Sequence, residues 1–519
     1  MKPSILSIDC GTQSLRAILF SITGDILDSE QVLYEPYFST KPGWAEQDAM
    51  VYWNSLCQAT KTLKARSGSI FKDIVGVGVT TQRNTLINLD KEGNPLRPCI
   101  VWLDQRKATP EYQPNFLIGG MLSLVGMKKK LETMEAEGKC NWIRQNQPEI
   151  WAKTHKYVQA SGFLNYKLTH EFTDSIASQI GHVPFDYKKQ NWIASSDKFE
   201  FGQYLFPVPE EKLPTLIPAG KELGKITVQA AEASGIPKGV PVIACGSDKG
   251  CETLGMGVLD NSTASLSFGT IATVQTTVKK YMEPLPFMPS YPAAVPGYWN
   301  PEMEIYRGFW MVTWFKNEFA LKEVQEAAEK NLPAEVVMNQ LLKDTPPGAM
   351  GLILQPYWSP GLGDLDAKGA MIGFGAVHQK AHVYRAIIEG LGYGLLDGTQ
   401  RLEKRGKMKF KQFTVSGGGS QSDEVCQIIT DIFNKPLLRG NTHEASGLGA
   451  AILTAYGTHQ FSSIKEAVNN MVVYKDTFEP NPQNTKIYKA LFEEVYLKMY
   501  KQLTPFYKSI KKHTGYPSD

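Results

Sequence analysis

Asp9 sits where a short apolar run, Ile5–Ile8, gives way to Cys10-Gly11-Thr12-Gln13-Ser14, and a second apolar run, Ala17–Phe20, follows. Two apolar runs around a polar link predict a β-hairpin with buried strands. Gly11 permits a tight turn that aims successive N–H groups at one point, with hydroxyls beside them. That arrangement suits a phosphate, and a carboxylate at the end of a buried strand is what a phosphate-bound Mg²⁺ needs. An ordinary hairpin whose Thr and Ser close their own turn would use the same residues. A second copy weighs against it: residues 263–276 again run strand, Gly269-Thr270, strand. The two hairpins lie about half a chain apart, as two related halves facing each other across a cleft would require.

Three further groups carry chemistry. The strand predicted over Val240–Cys245 ends in Gly246-Ser247-Asp248-Lys249-Gly250, which places Asp248 in a glycine-bracketed loop at the carboxyl end of a strand. That is a position for a general base, with a turn-stabilising aspartate as the alternative. Thr80-Thr81-Gln82-Arg83-Asn84 follows another buried strand, Ile74–Val79. Trp102, read as the end of a strand Ile100–Trp102, is either a core aromatic or the apolar wall of a polyol pocket. In the second case Arg83 and Asn84 would grip hydroxyls. Gly417-Gly418-Gly419-Ser420-Gln421-Ser422, between the strand Phe413–Ser416 and the helix Asp423–Phe433, permits close approach of a flat ring or a ribose near a helix N-terminus.

The elements that hold these groups are legible in outline. Thr23-Gly24-Asp25 turns into a third strand, Ile26–Leu33. Asp48 is placed to cap a helix that ends before Gly68. Three meandering strands, a helix and another strand form the opening order of a ribonuclease-H-like unit. Residues 110–160 read as mostly helical, 361–364 as a glycine-rich loop, and residues 484–506 as a final amphipathic helix. Glu444–Ala451 starts a helix of small residues expected to pack beneath the Gly417–Gly419 loop.

The totals restrict the class of protein. A chain of 519 residues exceeds a single core, so more than one domain is expected. A net charge of +3 singles out no nucleic-acid partner, and no apolar run reaches membrane-spanning length. Seven scattered cysteines without a Cys-x-x-Cys indicate neither a disulfide framework nor a zinc site, and the expected compartment is a reducing cytoplasm.

In this order the motifs resemble the FGGY family of carbohydrate kinases over nearly the whole chain. The resemblance rests on Asp9-Cys10-Gly11-Thr12-Gln13-Ser14-x-Arg16, on Pro42–Asp48, on Thr173–Ser178, and on Gly369, Met371 and Gly373 followed by His382, Val383, Ala386, Ile387, Ile388 and Glu389. It implies an α/β fold of two ribonuclease-H-like, actin-like domains flanking a central cleft, residues 1–256 and 257–519. The first would hold a sugar or polyol and the second ATP. By similarity Asp9 would serve Mg²⁺, and Thr12, Gln13, Ser14 and Arg16 would meet the ATP phosphates. Thr270 would bind phosphate from the other half, and Gly418 and Ser422 would contact the adenosine. Asp248 would be the base; Arg83, Asn84, Trp102 and Lys249 would line the acceptor pocket. Similar kinases are commonly dimers, so the resemblance admits a homodimer. A sugar-binding pseudokinase should lack Asp9 or Asp248, and an actin-like ATPase should lack the Gly369–Glu389 signature.

Overall fold

Ile5, Leu6 and Ile8 are fully buried in the computed structural model of the chain, which describes residues 3–112, 128–194, 204–286, 288–359 and 367–516. The predicted loop at 361–364, and residues 113–127 of the predicted helical stretch, lie outside the described residues. The chain divides into two α/β units. One comprises Met1–Gly257, Tyr291–Trp299 and Glu444–Val472; the other comprises Val258–Ser290, Asn300–His443 and Val473–Asp519.

In the first unit β1 (Ser4–Cys10), β2 (Ser14–Ser21) and β3 (Ile26–Leu33) form an antiparallel meander, and β4 (Ile74–Thr81) lies parallel to β1 on its other side. β5 (Glu222–Lys225) and β6 (Pro241–Ile243) extend this sheet, β6 parallel to β4 and β5 antiparallel at the edge. β1 is apolar at consecutive positions because it is central and covered on both faces; β3, at the edge, alternates between exposed and partly buried residues. Helix α1 (Ala49–Arg66) begins as predicted, with the Asp48 carboxylate accepting the Met50 N–H at 2.9 Å. Its Tyr52, Leu56 and Ala59 join Leu15, Ala17 and Leu19 of β2 in one core. Helix α2 (Asp248–Gly255) follows β6.

The second unit repeats the design. β7 (Thr263–Phe268), β8 (Ala272–Thr276) and β9 (Glu302–Ile305) meander, β10 (Gln412–Ser416) and β11 (Leu437–Gly440) add in parallel beside β7, and β12 (Tyr474–Phe478) closes the edge antiparallel. The order in space matches the first sheet. The antiparallel edge strand precedes the last parallel strand along the chain in the first sheet and follows it in the second.

Helix α3 (Lys380–Gly406) shows what part of the signature is for. Glu389, 2% exposed, accepts from Arg385 at 2.7 Å, from the Tyr488 hydroxyl at 2.9 Å and from the Gly348 N–H at 3.0 Å. Arg385 also donates to the carbonyls of Leu342 and Thr345, both at 2.7 Å. These are struts inside the unit, and removing one partner of such a buried pair costs about 3–5 kcal/mol. Gly369 and Gly373 are required sterically: a Cβ would lie 2.1 Å from the Trp358 ring at the first and 2.1 Å from the Gly351 carbonyl at the second. Helix α4 (Asp423–Phe433) follows β10, and the predicted C-terminal helix runs on to Thr514 through a π-helical turn at Phe492–Tyr496.

Helix α5 (Ala445–Gly457) corrects one expectation. The small-residue helix packs in the first unit rather than beneath the glycine loop of the second. A Cβ on Gly449 would lie 1.9 Å from the Cys251 carbonyl, and one on Gly255 would lie 2.0 Å from the Ala445 carbonyl, so α2 and α5 cross backbone to backbone. Gly76 and Gly78 of β4 face the same helix, where a Cβ would meet Thr458, Thr454 and the Ala450 carbonyl. The glycines of the Ile-Val-Gly-Val-Gly-Val run are therefore a docking surface for α5.

Candidate functional site

At the carboxyl end of β1, Asp9 lies in register with Arg16 of β2 and Thr80 of β4. Burial, then the nearby carboxylates of Asp248 and Glu444, push its carboxyl up to about 7, with Arg16 opposing. Arg16 in turn lies 3.4 Å from Glu444 at the head of α5. Carboxylate oxygens in a site that disfavours their charge are suited to a hard divalent cation. Among the described residues no group of three His, Cys, Asp or Glu side chains could hold a metal.

The predicted phosphate hairpin is held by Tyr34, whose hydroxyl donates to the Gly11 carbonyl at 2.7 Å and whose N–H donates to the Gln13 carbonyl at 3.0 Å. Gln13 is exposed. Ser14 is buried at the start of β2, and its hydroxyl accepts from Gln31 at 3.0 Å. Thr12 is tied into a chain: Trp102 Nε1 donates to Thr12 Oγ1 at 3.0 Å, Thr12 Oγ1 to Gln82 Oε1 at 2.9 Å, and Gln82 Nε2 to the Tyr52 hydroxyl at 3.1 Å. The strand predicted to reach Trp102 stops at Ile100, because the chain turns with the Asp104 N–H on the Val101 carbonyl. Trp102 is thus in a turn, half-buried, beside the hairpin.

Asp248 is the first residue of α2 rather than part of a loop. Ser247 caps that helix by accepting the Gly250 N–H at 3.3 Å. Arg83 donates to the Ser247 hydroxyl at 3.3 Å, stands 3.7 Å from Asp248 Oδ1, and lies over the Tyr291 ring at 5.1 Å. Burial raises the Asp248 carboxyl above its ordinary range, while Arg83 and Lys249 pull it back. The side chain of Asp248 is half-buried. Lys249 Nζ binds Glu252 Oε2 at 2.7 Å, so its ammonium is engaged within α2. Asn84 is left-handed at φ 53°, and its side-chain oxygen lies 3.4 Å from the His182 N–H.

In the second unit, β7 and β10 run parallel with Ser267 opposite Ser416, which sets Gly269-Thr270 beside the glycine loop. Gly417 has φ 85°, and a Cβ there would lie 2.8 Å from the Phe268 backbone; one on Gly419 would lie 2.5 Å from the Phe309 ring. Phe268 and Phe309 stack at 4.5 Å. Gly418 has nothing within 4 Å of an added Cβ and, like Thr270, is exposed. Two of the three glycines are therefore consumed by packing, and one is open. The Ser422 hydroxyl caps α4 by accepting the Val425 N–H at 3.2 Å.

Each unit thus brings its own predicted residues together at the carboxyl ends of its parallel strands. Sequence reasoning left Tyr34, Gln82, Ser247, Tyr291 and Glu444 without a role. Gln82 and Ser247 adjoin named residues; Tyr291 and Glu444 reach the site only through long-range packing.

Comparisons with known proteins agree with this architecture. The model for the N-terminal domain of the FGGY family of carbohydrate kinases matches residues 4–255, and the model for the C-terminal domain matches residues 264–458. An uncharacterized sugar kinase, YgcE, of Escherichia coli (strain K12) is 31% identical, covering 99% of this chain and 94% of that protein. A xylulose kinase of Lactococcus lactis subsp. lactis (strain IL1403) is 27% identical over 96% of each. The crystal structure of gluconate kinase from Lactobacillus acidophilus shares the fold at a TM-score of 0.82 and 20% identity, covering 98% of this chain and 100% of that one.

Proposed function

The chain belongs to the FGGY family of carbohydrate kinases, and from that premise we propose that Asp248 is the base for phosphorylation of a primary hydroxyl on a four- or five-carbon ketose or polyol. ATP-dependent phosphorylation of a small sugar or polyol is the family's chemistry. The observation that carries the finer reading is the half-buried Asp248 with the Arg83 guanidinium at 3.7 Å. Arg83 and the adjoining Lys249 N–H, 2.7 Å from Oδ1, hold the carboxylate in one orientation and favour its ionised form. In the reaction the acceptor O–H proton passes to Asp248. The freed oxygen bonds the γ-phosphorus in line, and the bond to the ADP oxygen breaks.

The other residues act by position and charge. Thr12, Gln13, Ser14, Arg16 and Thr270 are assigned to the ATP phosphates; Gly418 offers the open backbone for the adenosine, with Ser422 beside it. Asp9 would hold Mg²⁺, which when bound neutralises phosphate charge. We further propose that each unit is a ribonuclease-H-like domain, a reading supported by their common strand order.

The acceptor choice rests on Asn84. An amide both donates and accepts but carries no charge, so Asn84 grips a small triol more weakly than a carboxylate at that position would. The names xylulose kinase and gluconate kinase among similar proteins support a longer acceptor. ADP production against glycerol, erythritol, ribitol, xylulose, ribulose and gluconate tests this. A four- or five-carbon acceptor should give a higher kcat/KM than glycerol, and glycerol as the best acceptor would overturn it. ADP release indifferent to every sugar would favour an ATPase instead.

A further inference from the structure

Lys139 is only 5% exposed, yet among the described residues no carboxylate pairs with it directly. Its ammonium donates to two backbone carbonyls, Asn84 at 2.7 Å and Val101 at 2.9 Å. Those carbonyls belong to the two segments proposed to line the acceptor pocket: Asn84 follows Arg83, and Val101 precedes Trp102. The strands Leu86–Leu89 and Cys99–Ile100 pair antiparallel next door with Leu86 opposite Ile100. Beyond that pair the Asn84 and Val101 carbonyls both point at the ammonium, and the Val101 carbonyl also accepts the Asp104 N–H at 3.1 Å. Asn84 is fixed on its other side as well: its side-chain oxygen faces the His182 N–H, and a Cβ on Gly181 would lie 2.4 Å from it. Burial pulls the Lys139 ammonium down to about 7, with Asp104, Cys99 and Glu137 supporting its charge and Arg106 opposing it. A cation kept in such a place is matched by what it holds.

We propose that Lys139 is a positioning residue for the acceptor, clamping the Arg83-Asn84 segment to the Trp102 segment and so setting the width of the acceptor pocket. The inference rests on the acceptor role given above to Arg83, Asn84 and Trp102. Lys139 touches neither the reacting hydroxyl nor the phosphates; it acts through the spacing of residues that do.

Lys139→Met keeps the aliphatic stem and removes all three N–H donors. Misplacement of a positioned group by about 1 Å costs roughly 10²-fold. The expected result is an acceptor KM raised by about 10–100-fold with the ATP KM within about twofold of wild type, together with a lower preference for ketopentose over glycerol. Lys139→Gln, whose amide can still donate, should fall between the two. An unchanged acceptor KM in a folded variant, or acceptor and ATP KM rising together, would overturn the proposal. Failure of both variants to give a cooperative melt would overturn it too, by making Lys139 a requirement of the fold. Asn84→Ala and Trp102→Ala are measured alongside. If neither moves the acceptor KM, the pocket assignment itself is wrong; if both do and Lys139→Met does not, only the role of Lys139 fails.

Discussion

The carboxyl ends of the two central sheets start from the same scaffold, a Gly-Thr hairpin beside a parallel strand, and are finished in opposite ways. In the first unit the space around the hairpin is filled by charge and directed hydrogen bonds: Asp9 among carboxylates, Thr12 between Gln82 and Trp102, Arg83 on Asp248. In the second it is filled by glycine and aromatic surface, with Phe268 stacked on Phe309 and Gly418 exposed. The chain repeats a fold and divides the labour. On the proposed function, the first end places protons and a cation, and the second lies flat against a neutral ring. A repeated scaffold therefore reveals little about chemistry until the side chains at the strand ends are read separately.

The largest effect that would sharpen this contrast is at Asp9. Asp9→Asn should lower turnover by roughly 10²–10³-fold, the scale of losing one electrostatic element of a transition state, while nucleotide-free protein stays folded. Steady-state kinetics with Mg²⁺ varied checks it; turnover within a factor of about three of wild type would show that the charged end does not depend on this carboxylate.

The glycine loop provides the second test. Gly419→Ala drives a methyl group into the Phe309 ring, whereas Gly418→Ala meets nothing. The first should lose about 1–3 kcal/mol of stability through overpacking and the second less than about 0.5 kcal/mol. Only Gly418→Ala should weaken ATP binding without a change in melting temperature. Equal melting temperatures for the two variants would contradict the division into packed and open glycines.

The smallest effect is a pH dependence. The Asp9 carboxyl is raised from 3.8 to about 7 in the folded chain, so between those values the folded state holds a proton that the unfolded state has released. Its contribution to stability is full below the unfolded value and is lost as pH rises through about 7. The melting temperature of Asp9→Asn minus that of wild type, measured without nucleotide or Mg²⁺, should therefore grow as pH rises from the unfolded value of 3.8 to about 7 and level off above it, by roughly 2–4 °C for each kcal/mol involved. A difference independent of pH would contradict it.

Much of this was legible in residue order. Strands β1 to β4, the Asp48 cap and helices α1, α3 and α4 follow from apolar spacing and turn residues, because local pattern decides them. What the sequence concealed depends on long-range partners. The small residues of α5 look as suitable beneath a nucleotide as against α2, and only the approach of Gly449 to Cys251 distinguishes these. Three glycines in a row look alike until Phe268 and Phe309 are placed. The resemblance places Lys249 at the acceptor, and its partner Glu252, three residues on, appears only once the helix is formed. Asp248 sits at the first position of a helix because the Ser247 cap outweighs the glycines around it.

Asp248→Asn removes the group proposed to take the acceptor proton. Asparagine keeps the shape and the Lys249 N–H contact but cannot take the proton. Single-turnover phosphorylation of the best acceptor should fall by about 10²–10⁴-fold, while ATP affinity measured by calorimetry stays within about twofold of wild type. Phosphoryl transfer at more than about a tenth of the wild-type rate would contradict the account.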